Sequence, residues 1–347
     1  MPYAIERADV KRQKEDILDV WSGVLRTGKP PRFTWIHEQN PFGPVPCWLV
    51  RETGKQIVVG SASLCPRTMV YRGRAYRGGI AIDYAVKKNH RVLGPAIMLQ
   101  KAAIQSCAEQ EVDLIYALPN DLSGPVILRA GYRLLGHQVT YRKPLRTRAA
   151  LERRFGRWAA LASWGIDAVL RVTSRETFAR RDGAFGFEEL RTFDHRFDEF
   201  WKRMSATVPL TGERTSAFLN WRFASCLHKE FKTLALTDRA SGALVGYVTW
   251  YLNDDEIVIS DLLVQDFDRS FDALLAEFLR RVRRVTASSV VFRYFGAKAV
   301  TGRLQRFGFV ERPSTTIFAV HTPAGSPAEQ FVGDPDNWYL LDGDADL

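Results

Sequence analysis

Over residues 79–86, Ile80, Ile82, Tyr84 and Val86 alternate with Ala81, Asp83 and Ala85, the period of a strand with one buried face. A basic turn follows (Lys87, Lys88, Asn89, His90, Arg91), and Gly94-Pro95-Ala96 opens a helix carrying Ile97, Met98, Ala102 and Ile104. Proline suits the first turn of a helix, because its missing N–H would have had no intrahelical acceptor. Upstream, the pattern predicts a short strand at 3–5, a helix around 16–21, and a helix or loop over 32–40 stopped by Asn40-Pro41-Phe42-Gly43-Pro44. Apolar runs at 47–51, 56–66 and 68–71 are punctuated by Glu52-Thr53-Gly54-Lys55 and Arg72-Gly73-Arg74. These read as an antiparallel meander leading into the strand at 79–86. Downstream come a short buried strand at 113–118, a helix over 123–130 ended by Gly131, and one or two return strands over 132–144.

The same order recurs in weaker form after residue 186. Helices are predicted at 195–205 and 217–223, strands at 231–236, 243–251 and 257–264, a helix at 271–285, a strand at 290–294, and a helix at 299–307 closed by Gly308-Phe309. The expected class is α+β, with two tandem domains of mixed, mostly antiparallel sheet flanked by helices. The expected division is 1–145, a basic helical linker at 146–185, a second domain at 186–322 and an acidic tail at 323–347. The tail, Trp338-Tyr339-Leu340-Leu341-Asp342-Gly343-Asp344-Ala345-Asp346-Leu347, pairs aromatics with acids. It reads as disordered or packed on the surface.

A length of 347 residues suits two domains, and 46% hydrophobic with 25% charged residues is an ordinary globular balance. Met1 is followed by Pro2, Tyr3 and a charged run rather than a signal peptide, and no apolar run approaches a membrane span. Cys47, Cys65, Cys107 and Cys226 show neither metal-ligand spacing nor a disulfide framework. Reduced thiols in the cytoplasm, with no metal, is the expectation.

The net charge of +10 is uneven, since residues 142–181 hold eleven Lys/Arg against Glu152, Asp167 and Glu176. Within them Trp158, Leu161, Ala162, Gly165, Ala168, Val169 and Val172 share one broad helical face. Two readings are open. One is an interdomain helix buried on that face, which is preferred because Gly165 and Asp167 weaken an isolated helix. The other is an interfacial helix at the inner face of a membrane over 146–181, with Trp158 and Trp164 at headgroup level.

A strand feeding through a glycine turn into a helix start exposes backbone N–H groups at the positive end of the helix dipole, a site for phosphate. Arg91-x-x-Gly94-x-Ala96 resembles the Arg/Gln-x-x-Gly-x-Gly/Ala loop of the GNAT (Gcn5-related N-acetyltransferase) superfamily. Asn120-x-x-Ser123…Gly131-Tyr132 resembles that family's closing pattern. The resemblance covers residues 1–145, and the tandem is similar to bacterial two-domain acyltransferases and, more distantly, to Fem-type aminoacyltransferases. It implies that acetyl-CoA or a longer acyl-CoA lays its pyrophosphate on the backbone of Val92, Leu93, Gly94, Pro95 and Ala96 beside Arg91. The pantetheine would then run along Tyr84, Ala85 and Val86, near Asn120 and Ser123. Pro95 removes one N–H from that cradle, and Pro119-Asn120-Asp121 is equally a helix-capping turn.

The resemblance further implies Asp83 as general base. The family's tyrosine acid falls on Ile127, leaving Tyr132, Tyr116 or Ser123 as substitutes, or an unassisted thiolate. The matching position of the second half, Val264-Gln265-Asp266-Phe267-Asp268-Arg269, has no glycine and two carboxylates that would repel a pyrophosphate, so that half reads as non-binding. The function implied is N-acyl transfer to an amine of a sugar, a cell-envelope precursor or an amino-acid-derived metabolite. A Fem-like transferase using aminoacyl-tRNA would draw on the basic segment. A non-catalytic acyl-CoA-binding module is the third reading.

Overall fold

A computed structural model describes residues 2–25, 30–109, 112–156, 158, 163–179, 182–227 and 229–346. The first half runs β1 (Tyr3–Arg7), α1 (Lys14–Ser22), α2 (Pro30–Phe33, continued by a π-turn at Thr34–Glu38), β2 (Cys47–Glu52), β3 (Ile57–Tyr71) and β4 (Arg74–Val86). It continues with α3 (Leu93–Glu109), β5 (Leu114–Ala117), α4 (Gly124–Ala130), β6 (Arg133–His137) and β7 (Val139–Pro144). The linker holds α5 (Arg148–Phe155), α6 (Ser163–Thr173) and α7 (Arg175–Phe178). The second half runs β8 (Phe185–Leu190), α8 (His195–Ser205), β9 (Thr211–Gly212), α9 (Ser216–Leu219, continued by a π-turn at Asn220–Ala224), β10 (Phe231–Asp238), β11 (Leu244–Asn253) and β12 (Glu256–Val264). After it come α10 (Ser270–Val282), β13 (Ser289–Gly296), α11 (Lys298–Arg306), β14 (Val310–Arg312), β15 (Ile317–His321), α12 (Glu329–Val332) and β16 (Tyr339–Leu341).

Local sequence accounts for most of these elements. The long β3–β4 hairpin closes on Arg72 and Gly73, both at positive φ (48° and 84°), the backbone twist a two-residue hairpin turn requires. Helix α8 buries Phe197, Phe200, Trp201 and Met204 at helical spacing, and the Asp194 side chain caps its start by accepting the Arg196 N–H at 3.0 Å. Gly131, at φ 121°, ends α4.

The strand order of one sheet is β1-β2-β3-β4-β5-β15-β6, with β9 beside β3. That of the other is β14-β7-β13-β12-β11-β10-β8, with β16 on β13. Each has one parallel pair at its centre, β4 with β5 and β12 with β13. The halves exchange strands: β7 lies in the second sheet between β14 and β13, and β15 returns to the first between β5 and β6. A cut at residue 145 therefore divides the chain but not the sheets. Period-2 alternation shows which residues form a strand and carries nothing about its partner.

The halves also meet across Trp35 and Trp221, one in each π-turn. Each indole N–H donates to the other residue's backbone carbonyl, at 2.7 Å and 2.9 Å, and the rings stack with centroids 5.0 Å apart. This reciprocity places a pseudo-twofold axis between the two tryptophans.

The C-terminal segment corrects the expectation of a disordered or surface tail. Trp338, Leu340 and Leu341 are wholly buried, and Asp344 is 1% exposed. Strands β12 and β13 pair only through Ile259 and Phe292. Beyond that point β16 pairs with β13 at Tyr294–Gly296, while the Tyr339 hydroxyl donates to the Leu262 carbonyl of β12. The segment thus fills the split of the second sheet. Gly296 is obligatory there, since a Cβ would sit 2.0 Å from the Trp338 carbonyl oxygen.

Candidate active site

The first sheet has the same split, left open. Parallel pairing of β4 with β5 covers only Gly78–Ile80 against Leu114–Tyr116. One step further along β4 the register with β3 slips, Ile82 facing Ser63 but Ala85 facing Ser61, so that two residues, Asp83 and Tyr84, oppose Ala62. This is a β-bulge, with Asp83 in the left-handed region at φ 51°. It bends β4 away from β5, and a cavity of about 550 Å³ lies between them. One wall is Ala81 to Tyr84 with Val86, the other Ala117 to Asn120. Arg91, Val92, Ala96 and Gln100 close one side, and Ser123, Val126 and Ile127 of α4 another.

At the turn end, Val92 N–H donates to the His90 carbonyl at 2.7 Å, so it is not available as the sequence predicted. In a helix beginning at Leu93, the N–H groups of Leu93 and Gly94 precede any intrahelical acceptor. With Pro95 lacking a donor, these two are the free backbone donors at the helix start; the Leu93 side chain lies outside the described residues. Arg91 is exposed and anchored through Nε to the Val86 carbonyl at 3.2 Å. His90 is held by the Tyr3 hydroxyl at 3.1 Å, and Lys87 by Asp19 at 2.6 Å. A Cβ on Gly94 would meet nothing within 4 Å. Gly94→Leu is therefore expected to fold normally while filling the space over the helix start. Losing one or two charge-assisted hydrogen bonds should weaken acyl-CoA binding ~10- to 100-fold, read by calorimetry beside a thermal melt.

At the other end, Asp83 is buried rather than outward-facing. Its Oδ1 accepts from Arg32 Nε at 2.9 Å and pairs with Arg32 Nη2 at 2.9 Å. Arg32 Nη2 also binds Asp346 Oδ1, and Asp346 Oδ2 accepts the Asp83 N–H at 3.3 Å. Asp83 Oδ2 is buried without a hydrogen-bond partner. Burial pushes the Asp83 carboxyl up to about 6, with Arg32 opposing and Asp346 adding to the rise. A carboxylate lining a cavity with an unengaged oxygen and a pKa in this range can take a proton near neutrality.

Several predicted residues are placed differently. Tyr132 packs in the core, away from the cavity lining, with its hydroxyl buried and burial raising its pKa far above the usual phenol value. The Tyr116 hydroxyl is engaged by Arg67 at 2.7 Å and by the Asp344 carbonyl at 2.9 Å. Ile127 lines the cavity where the tyrosine acid was expected. Asn120 Oδ1 accepts from the N–H of Leu122 (3.1 Å) and of Ser123 (3.0 Å) and from Ser123 Oγ (3.0 Å), the capping turn. Tyr84 and Val86 line the cavity, whereas Ala85 is buried on β4 outside the lining.

Three residues were missed. Arg32 and Asp346 reach Asp83 from far along the chain, and Gln100 lines the cavity with a buried Oε1 that has no partner. A buried, unpartnered amide oxygen facing a cavity is a point where a ligand N–H can bind.

In the second half the carboxylates at the start of α10 are occupied. Asp266 Oδ1 accepts the N–H of Asp268 at 2.7 Å and of Arg269 at 3.3 Å, Asp268 pairs with Arg303, and Asp272 pairs with Arg175 at 2.8 Å.

No family profile and no curated protein matches the sequence. Solved structures do match, and they share the fold of the GNAT N-acetyltransferases. A GCN5-related N-acetyltransferase from Anabaena variabilis superposes with a TM-score of 0.66 at 12% identity, over 92% of this chain and 72% of that one. A tandem GNAT protein from the clavulanic acid biosynthesis pathway gives 0.55 at 14%, over 92% and 98%. The N-myristoyltransferase of Saccharomyces cerevisiae, solved with myristoyl-CoA, gives 0.57 at 14%, over 94% and 80%. The chain has the tandem GNAT fold, with two mixed sheets each flanked by helices.

Proposed function

We propose that the protein transfers an acyl group from acyl-CoA to an amine, with the donor in the split between β4 and β5. The observation that carries this reading is the open split itself, running from the start of α3 to the unengaged oxygen of Asp83. The pyrophosphate would rest on the N–H groups of Leu93 and Gly94 beside Arg91, and the pantetheine amides would face β4 and Gln100. Asp83 takes a proton from the acceptor amine. The amine nitrogen bonds to the thioester carbon, the C–S bond breaks, and CoA leaves as a thiolate that takes its proton from solvent or from the positively charged nitrogen of the tetrahedral intermediate, leaving a neutral amide. A thiolate needs less help from an acid than an alkoxide or amide does, which makes Ile127 tolerable where other members place tyrosine. The acceptor is an amine of a sugar, an envelope precursor or an amino-acid-derived metabolite.

Calorimetry with acetyl-CoA and longer acyl-CoAs tests the reading; a folded protein that binds none of them sinks it. The aminoacyl-tRNA alternative draws on the tandem architecture and on the basic segment. Several of its cations are already matched: Lys143 by Glu176 at 3.3 Å, Arg142 by Glu256, and Arg148 by Glu152 at 3.2 Å. Arg153 and its neighbours Arg157, Arg180 and Arg181 fall where the side chains lie outside the described residues, as do Leu161 and Ala162.

A further inference from the structure

Helix α6 is amphipathic in the wrong sense for a protein surface. Ser163, Asp167, Leu170 and Ser174 recur at helical spacing on the side turned to the body of the molecule. Asp167 Oδ1 accepts both the N–H and the hydroxyl of Thr147 at 2.8 Å, and the Ser174 hydroxyl accepts from Arg283 at 2.8 Å. The opposite side carries Val169 and Val172 (each 60% exposed), with Trp164 (82%) and Ile166 (40%) on its two flanks. The interdomain helix buried on its apolar face, preferred from the sequence, is therefore the reverse of what is found. Phe155, Trp158 and Phe178, close by in the chain, are exposed as well. Seven of the seventeen exposed large apolar residues among the described ones thus fall within residues 155–178. Such a concentration marks a surface that another phase or molecule covers.

We propose that the outward face of α6 seats the protein on an anionic lipid bilayer. The charge around the face argues for this occupant. Arg148, Arg154, Arg171 and Arg175 are all exposed along the same segment, and Arg171 lies on the border of the apolar face, beside Trp164. A bilayer accepts the aliphatic face in its acyl boundary, tryptophan at headgroup depth and arginine against anionic headgroups. A second copy fits less well. Eleven residues of helix are about 16 Å long, short for a patch of roughly 800 Å² per partner, and two such faces would bring like charges together. No described helix is long and apolar enough to cross a membrane, so the contact is with the surface. This inference is independent of the acyl-transfer reading.

The test is sedimentation of the full chain with vesicles of phosphatidylcholine and phosphatidylglycerol in equal parts, beside vesicles of phosphatidylcholine alone. The protein is expected to pellet with the mixed vesicles, with at least ~10-fold lower partitioning onto the neutral ones and a loss of binding at high salt. A triple variant, Trp164→Ser, Val169→Ser and Val172→Ser, should remain in the supernatant while keeping its melting temperature and acyl-CoA binding, because these side chains contact solvent. Wild-type protein that stays in the supernatant with anionic vesicles overturns the proposal. So does equal binding of neutral vesicles, or a variant that still pellets. A dimer on gel filtration that the triple variant dissolves also overturns it and assigns the face to a second copy.

Discussion

Under the acyl-transfer proposal, Asp83→Asn is expected to lower kcat by about 10²- to 10⁴-fold, the range for removing a general base, and to leave acyl-CoA binding intact. The asparagine keeps the shape of the side chain and an oxygen for Arg32 but cannot accept the amine proton. Thiol release from acyl-CoA, followed with any amine that gives turnover, measures this. The pH profile gives a second readout. Because burial raises the Asp83 carboxyl to about 6, the proton-accepting form is lost as pH falls through that value. Wild-type kcat should therefore drop on the acid side of about pH 6, and the variant's residual rate should lack that limb. Turnover by Asp83→Asn at the wild-type rate would falsify the base assignment while leaving the donor site untouched.

Asp344→Ala is expected to destabilise the fold by about 3–5 kcal/mol, the cost of breaking a buried ion pair from one side. Its Oδ1 takes Arg67 Nη1 at 2.9 Å, and its Oδ2 takes Arg214 Nη2 at 2.7 Å and the Leu341 N–H at 3.0 Å. Arg214 retains Asp261 at 2.9 Å, so most of the penalty falls on Arg67, which is almost wholly enclosed. Burial alone would raise the Asp344 carboxyl, but Arg214 and Arg67 outweigh it and hold it below its ordinary value. A carboxyl depressed in the folded state contributes stability that is full above the unfolded value near 4 and fades as pH falls through the folded one. Urea denaturation of both proteins at neutral and acid pH should show the gap narrowing as pH drops. A neutral-pH loss under ~1 kcal/mol would place Asp344 among ordinary surface acids.

What the sequence revealed and what it hid divide along physical lines. The strand–turn–helix around Gly94 was legible because turn chemistry, proline placement and strand alternation act within a few residues. Asp83 was found as a candidate, but its setting was not. The bulge that buries it depends on a register slip against β3, and its partner Arg32 sits 51 residues away in the short helix α2, Pro-Pro-Arg-Phe, which carries no motif. The C-terminal segment was misread because alternating aromatics and acids look like a solvated tail until Arg67, Arg214 and Arg32 are brought to meet those acids. On α6 the reading preferred from the sequence turned Val169 and Val172 toward the body, whereas both are exposed, since periodicity groups residues on a face without fixing which side the body lies on.

The returning strand has a consequence for how the molecule is made. The cavity between β4 and β5 has the end of β5 as a wall, and β5 gains its outer neighbour from Ile317–His321. A chain emerging from the ribosome folds from its N-terminus as units become available. Here the first sheet waits with β5 and β6 unjoined until Ile317–His321 has been translated, and Asp346 reaches Asp83 later still. No nascent fragment that stops short of Asp346 holds the finished cavity, so under the acyl-transfer proposal the second half must be in place before the first can act.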